Sequence, residues 1–284
     1  MPDQFVVITG VSTGIGYSCT KVLLNNGFKV IGSVRKQSDA DRLGTELGAD
    51  FFPVIFDIAK SEEIAPAVNQ IKEIVKGKGI ACLINNAGIA VTGPLMHIPT
   101  DEIRHQFEVN VFGLFDFTKS LLTLLGAVKN YSNTPGKIIN ISSVAGQMSM
   151  PFMAPYTGSK HALEGMSNSL RRELLIYGID VIIVAPGPVK TPIWGKGLGN
   201  EPSDEIANSD YGPLISRLTK QYRKEEEKAL DSDELGENIF RIFKAKSPRA
   251  HYIFRKQKFV KWTIPRYILS ARLFDRVIKK MLKL

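Results

Sequence analysis

The chain has 284 residues, 44% hydrophobic and 23% charged, which is enough apolar material for one sizeable core and excludes a disordered or fibrous composition. Its formal charge of +9 is concentrated: from residue 255 onward there are ten Lys or Arg and one Asp, while the remaining 27 basic and 27 acidic residues cancel. A neutral body with a basic extension argues against nucleic acid as a partner.

The start, Met1-Pro2-Asp3-Gln4 leading into Phe5-Val6-Val7-Ile8-Thr9, predicts a strand over 5–9 and no signal peptide. No run reaches the roughly 18 uninterrupted apolar residues that a spanning helix needs. Cys19 and Cys82 lie inside apolar segments without metal or disulfide spacing, so they read as buried thiols of a reducing compartment, the cytoplasm. Gly10-Val11-Ser12-Thr13-Gly14-Ile15-Gly16 follows the first strand and opens a helix over 14–26. Glycines there let the backbone turn tightly and approach a pyrophosphate, which the free N–H groups and the positive end of the helix attract. A glycine-rich turn with a purely structural role is the competing reading.

The alternation continues with strands over 28–34, 51–56, 80–85, 137–142 and 179–185, and helices over 38–47, 61–76, 100–129 and 155–177. Repeated βαβ units force parallel strands with helices on both faces, giving a doubly wound, three-layer α/β/α sheet of Rossmann type. Its ligand crevice is expected at the carboxyl ends of the strands. Residues 188–230 break the rhythm with Gly195, Gly197, Gly199 and Pro202 and follow a strand end, which predicts a substrate lid within one domain spanning 1–284. A last strand is expected over 251–254.

Tyr156 and Lys160 stand four residues apart, hence on one helix face with the phenol near the ammonium. A neighbouring cation favours the phenolate and lowers the phenol pKa towards working pH, where a general acid/base is most effective. In isolation such a pair is more often two solvated neighbours. The four histidines lack zinc-like spacing, so no metal is expected.

Five motifs, in order and at matching separations, resemble those of the short-chain dehydrogenases/reductases over roughly residues 5–192. They are the glycine turn, Asn85-Asn86-Ala87-Gly88, Asn110 in Val109-Asn110-Val111, Ser143 followed thirteen residues later by Tyr156-x-x-x-Lys160, and Pro186-Gly187-Pro188-Val189-Lys190-Thr191. The resemblance implies that Tyr156 exchanges a proton with a carbonyl or alcohol, Ser143 polarises the substrate oxygen, Lys160 lowers the phenol pKa and binds the nicotinamide ribose, and Asn110 positions a water in the proton path. It further implies that Gly10, Ser12, Thr13, Gly14, Ile15, Gly16, Asp57, Ile58, Asn86, Ala87, Gly88, Pro186, Gly187, Val189 and Thr191 line a dinucleotide, with Asp57 at the adenine amine. A capping role for Asp57 stays open. At the end of the second strand Gly32-Ser33-Val34-Arg35-Lys36 carries no carboxylate for a ribose 2′-hydroxyl, and Arg35 suits a 2′-phosphate, so NADP(H) is expected over NAD(H). The competing reading makes Arg35 and Lys36 ordinary surface charges.

Met148 and Phe152, between the serine and tyrosine elements, and Trp194 from the lid are expected to line an apolar substrate cavity for a lipophilic ketone, aldehyde or alcohol, unless they are core packing. Residues 255–284 place Ile268, Leu269, Leu273, Phe274, Val277, Ile278 and Met281 at helical spacing against Arg266, Arg272, Arg276, Lys279, Lys280 and Lys283. Such a helix either docks on the lid or a second subunit, or lies on an anionic membrane surface. The resemblance also implies a homodimer or homotetramer through the helices over 100–129 and 155–177. A silent dinucleotide-binding regulator and a membrane-surface protein acting through its tail are the rival readings.

Overall fold

The computed structural model describes residues 4–191, 203–256 and 268–283, with backbone alone at Tyr222, Glu225 and Glu226. Seven parallel strands, β1 (Phe5–Ile8), β2 (Lys29–Val34), β3 (Phe51–Ile55), β4 (Cys82–Asn85), β5 (Lys137–Ile141), β6 (Asp180–Pro186) and β7 (His251–Phe254), lie in the order β3-β2-β1-β4-β5-β6-β7. This is the doubly wound three-layer sheet that the alternation predicts, and all six parallel pairings need crossovers. The strand order reverses between β1 and β4, so a crevice opens at their carboxyl ends. In register, Val6 faces Val30 on one side and Cys82 on the other.

Side-chain alternation along β1 sorts the two cores. Val6 and Ile8 pack on one face with Cys19 and Leu23 of α1 (Gly14–Asn25) and Leu43 of α2 (Gln37–Leu47), whereas Phe5 and Val7 pack on the other with Ile64, Ala67, Val68 and Ile71 of α3 (Ser61–Val75).

The span 100–129 is not the unbroken helix expected. It divides into α4 (Thr100–Phe107), a π-helical stretch Glu108–Phe112 and α5 (Gly113–Leu121), followed by turns. A Cβ at Gly113 would strike the Ile58 carbonyl, so this glycine brings the chain against the β3–α3 connection where the register shifts. The catalytic-spacing helix is α6 (Ala154–Glu173), continued by a 3₁₀ turn at Leu174–Tyr177.

Between β6 and β7 lie α7 (Asp204–Ala207) and α8 (Gly212–Glu227), then α9 (Ser232–Lys244), which the sequence pattern did not announce. Leu235, Ile239, Ile242 and Phe243 of α9 complete the first core, and Gly236 lets it approach α1, a Cβ there lying 3.1 Å from the Ser18 carbonyl carbon. The tail helix α10 (Ala271–Leu282) docks by its C-terminal end on α8: Arg217 Nη1 donates to the Leu282 carbonyl at 2.7 Å, and Gln221 Nε2 meets Met281 Sδ at 3.5 Å. Leu282 is buried there, while Ile268, Leu273 and Val277 remain exposed. Among the described residues no helix is long and apolar enough to cross a membrane.

Candidate active site

The glycine turn between β1 and α1 lies against the ends of β2 and β4. Gly10 and Gly14 hold positive φ of 71° and 62°, conformations that L side chains rarely adopt. Gly10 N–H donates to Ser33 Oγ at 2.9 Å, and Asn86 Nδ2 donates to the carbonyls of Thr9 and Gly10 at 3.0 and 2.9 Å. Thr9 Oγ1 in turn accepts from the N–H groups of Asn86 and Ala87, both at 3.0 Å. Gly16 closes this packing: a Cβ there would collide with the Gly10 carbonyl and come within 2.5 Å of Asn86 Nδ2. Thr13 caps α1 in extended conformation without a side-chain hydrogen bond, and the first turn carries no acidic residue, so the helix end presents Gly14, Ile15 and Gly16 N–H groups with nothing anionic in that turn. Such a cradle fits a pyrophosphate. Gly16→Ala is therefore expected to weaken NADP(H) binding at least about tenfold, read by quenching of protein fluorescence, because the turn must open to admit the methyl.

At the end of β2, Arg35 and Lys36 are exposed, and among the described residues no hydrogen bond or ion pair ties Arg35 down. Arg42 of α2, which the motif reading missed, donates from Nη2 to the Ser12 carbonyl at 2.9 Å and so adds a second guanidinium beside the turn. Asp57 is placed with Ile58 just beyond β3; its Oδ1 accepts from Ala59 N–H at 3.0 Å within the turn, while Lys60, not Asp57, stands at the cap of α3, so the helix-capping alternative does not hold.

On the far side of the switch point, Gly88 lies beside both Asn110 and Lys160: a Cβ there would be 3.3 Å from Asn110 Oδ1 and 3.8 Å from Lys160 Nζ. Asn110, fully buried in the π-helical stretch, accepts from Ile89 N–H at 2.9 Å and donates to the Ile89 carbonyl at 3.0 Å and to Ser159 Oγ at 3.1 Å. Gln106, one helical turn earlier, clasps the same segment through the Ile89 carbonyl and Val91 N–H, a Gln-x-x-x-Asn pairing visible in the sequence but not singled out.

Ser143 follows β5 and caps the 3₁₀ turn Val144–Gly146, its Oγ accepting from Ala145 N–H at 3.1 Å. Its hydroxyl is also near enough to the Tyr156 phenol to draw that group's pKa down. Lys160, 5% exposed, donates to the Ile141 carbonyl at 2.8 Å, with Nζ 5.9 Å from the Tyr156 ring centre. The expectation that this ammonium lowers the phenol needs correction. Burial pushes the Tyr156 phenol above its ordinary value, the nearby Ser143 hydroxyl working the other way, while Lys160 is itself lowered to about 8 by burial, which Glu164 opposes.

Phe152, at φ 64°, stacks edge-on against Tyr211 at 5.6 Å between ring centres, and its carbonyl accepts from Gly93 N–H at 2.7 Å. Met148 is partly buried next to the serine turn. His97 Nδ1 lies 3.0 Å from Glu205 Oε1, joining the 95–97 turn to α7. Pro186 ends β6, and Gly187 just beyond it donates its N–H to the Phe254 carbonyl at 2.8 Å; Val189 is buried and bridges to Leu230, with Thr191 partly buried further on. Trp194 lies outside the described residues.

A dinucleotide-type cradle at a topological switch point, with a phenol, a hydroxyl and an ammonium grouped across it, defines an oxidoreductase site. Residues 4–202 match the family model of the short chain dehydrogenases, and the chain belongs to that family, the dehydrogenases and reductases that interconvert alcohols and carbonyls with a nicotinamide dinucleotide. It is 39% identical over 280 residues, 99% of this chain and 98% of the relative, to an NADPH-dependent 3-dehydrocapnine reductase of Ornithobacterium rhinotracheale. It is 32% identical over 248 residues, 87% and 86% of the two chains, to a 3-ketodihydrosphingosine reductase of Bacteroides thetaiotaomicron. The crystal structure of a short-chain dehydrogenase from Streptomyces avermitilis superposes with a TM-score of 0.75 at 24% identity, covering 90% of this chain and 89% of that one, and shares the fold.

Proposed function

We propose that this chain is an NADP(H)-dependent reductase of a lipophilic ketone, of the 3-keto kind for which two of its relatives are named. The observation that carries the reading is the continuity of the site: the Gly10 carbonyl is held by Asn86, Gly88 lies beside Lys160 Nζ, and Lys160 Nζ lies 5.9 Å from the Tyr156 ring centre. When bound, NADPH supplies the hydride. Ser143 and Tyr156 hold the carbonyl oxygen by hydrogen bonds, and Tyr156 delivers its proton there as negative charge develops. Lys160, held on the Ile141 carbonyl, would bind the nicotinamide ribose and feed the proton path to Tyr156, and Asn110, which fixes the 88–89 segment, would orient the water that continues it. The 2′-phosphate falls to Arg35 and Arg42, and Asp57 keeps its other oxygen for the adenine amine.

Residues 188–230 form the lid, and Phe152 with Met148 makes the apolar wall of the substrate cavity. Phe112 and Met166, exposed on the 100–121 and α6 helices, are the positions at which a second copy packs. On α10 the cations Arg272, Arg276, Lys279, Lys280 and Lys283 outnumber Asp275, and the exposed Leu273 and Val277 give the helix an apolar strip for peripheral contact with an anionic membrane, where a lipid ketone would reside. Buried thiols at Cys19 and Cys82 suit a reducing compartment.

The test is oxidation of NADPH, followed by its absorbance, with 3-ketodihydrosphingosine in mixed micelles against small water-soluble ketones. Saturable turnover of the lipid is expected; turnover confined to the small ketones contradicts the substrate class. Leu273→Asp with Val277→Asp is expected to cut co-sedimentation with anionic liposomes severalfold while leaving turnover in micelles intact.

A further inference from the structure

Glu164 stands one helical turn beyond Lys160 on α6 and is 7% exposed. Its Oε1 accepts from Ser142 Oγ at 2.8 Å, and its Oε2 accepts from Gln147 Nε2 at 2.7 Å and lies 3.3 Å from His251 Nε2 on β7. Gln147 Nε2 is also 2.6 Å from His251 Nε2, so carboxylate, amide and imidazole adjoin in one cluster. Gly146 belongs to the same packing, since a Cβ there would come within 2.6 Å of Glu164 Oε1 and 2.7 Å of Ser142 Oγ. One carboxylate thus joins the turn that carries Ser143, the helix that carries Tyr156 and Lys160, and the edge strand.

A buried carboxylate is costly unless each oxygen is hydrogen-bonded, and a neutral amide would tie loop to helix at lower cost. The charge itself needs a reason, and Lys160 one turn away provides it. Burial pushes the Glu164 carboxyl up, but hydrogen bonds from His251, Gln147 and Ser142 more than offset it, leaving the group below its ordinary value and anionic at neutral pH. Its field then opposes the burial that lowers Lys160.

We propose that Glu164 is a positioning residue for proton transfer: held by Ser142, Gln147 and His251, it locks the Ser143 turn onto α6 and supplies the buried counter-charge for Lys160. This rests on the catalytic reading of Ser143, Tyr156 and Lys160 given above. The ionisable groups of this cluster are Lys160 and Tyr156 on α6 and His251 on β7, with Ser142 and Gln147 as neutral partners from the serine turn.

The test compares wild type, Glu164→Gln, His251→Gln and Tyr156→Phe in NADPH binding, in kcat and KM for the lipid ketone, and in the pH profile of kcat. Glu164→Gln keeps size and most hydrogen bonds; kcat is expected to fall about tenfold with NADPH affinity within about twofold, and the basic limb of the profile to move about one pH unit lower, because Lys160 loses its proton sooner. Unchanged kcat and an unmoved basic limb in a folded Glu164→Gln enzyme overturn the proposal. Should that variant fail to fold by circular dichroism, Ser142→Ala and His251→Gln carry the test: each removes one partner and is expected to lower kcat severalfold at unchanged NADPH affinity, and wild-type kcat in both overturns it. Tyr156→Phe separates the two levels, since its retained activity defeats the catalytic reading itself, whereas an inactive Tyr156→Phe beside a wild-type-like Glu164→Gln defeats the role of Glu164 alone.

Discussion

Tyr156→Phe is expected to lower kcat by roughly 10²–10⁴-fold while NADPH still binds. The phenol oxygen is the proton-bearing atom beside Ser143, and phenylalanine removes it without altering the ring that packs beside Lys160. Without a proton at the carbonyl oxygen, an alkoxide would have to form unaided in a buried site, where charge is poorly solvated. Cofactor contacts at the glycine turn lie on the other side of the crevice, so binding by fluorescence titration should change by less than about threefold. Loss of both binding and turnover would instead indicate a collapsed site.

Arg35→Asp is expected to reverse cofactor preference, moving the ratio of kcat/KM with NADPH to that with NADH by on the order of 10²-fold or more. The substitution removes a guanidinium able to grip a 2′-phosphate in a bidentate fork and installs a carboxylate that repels the phosphate but accepts a hydrogen bond from a ribose 2′-hydroxyl. Arg42 is anchored on the Ser12 carbonyl but already ion-paired with Asp39 and Glu46, so adding Arg42→Ala to Arg35→Asp should swing the ratio only a little further. Initial-rate kinetics with both cofactors check this, and an unchanged ratio removes Arg35 from the phosphate site.

How far the sequence carried follows from how local each signal is. The strands were legible because each is a short apolar run after a turn, and every one from β1 to β7 falls within two residues of its expected bounds at either end. The break in the 100–129 span was not, since helical periodicity passes through Glu108–Phe112 and the cause, Gly113 against the Ile58 carbonyl, is a tertiary contact. Helix α9 does carry Leu235, Ile239 and Phe243 at four-residue spacing, but it follows the charged stretch of α8 so closely that the two merge into one polar segment.

At the site, residues within a motif were found and their electrostatics were not. The Tyr156–Lys160 spacing fixes a shared helix face, yet burial decides the direction of both pKa values, and burial depends on the whole sheet. Glu164 and His251 are 87 positions apart and become neighbours only when β7 joins β6 at the sheet edge. Ser33, Gln106 and Arg42 likewise act through backbone atoms distant in sequence, which no side-chain pattern encodes.

The most direct measurement is a crystal structure of the chain with NADP and the alcohol product of 3-ketodihydrosphingosine reduction. The product hydroxyl is expected within hydrogen-bond distance of both Tyr156 Oη and Ser143 Oγ, with Lys160 Nζ turned from the Ile141 carbonyl to the nicotinamide ribose. A product whose hydroxyl meets neither oxygen, or a nicotinamide ring on the side of the cleft away from Tyr156, would contradict it.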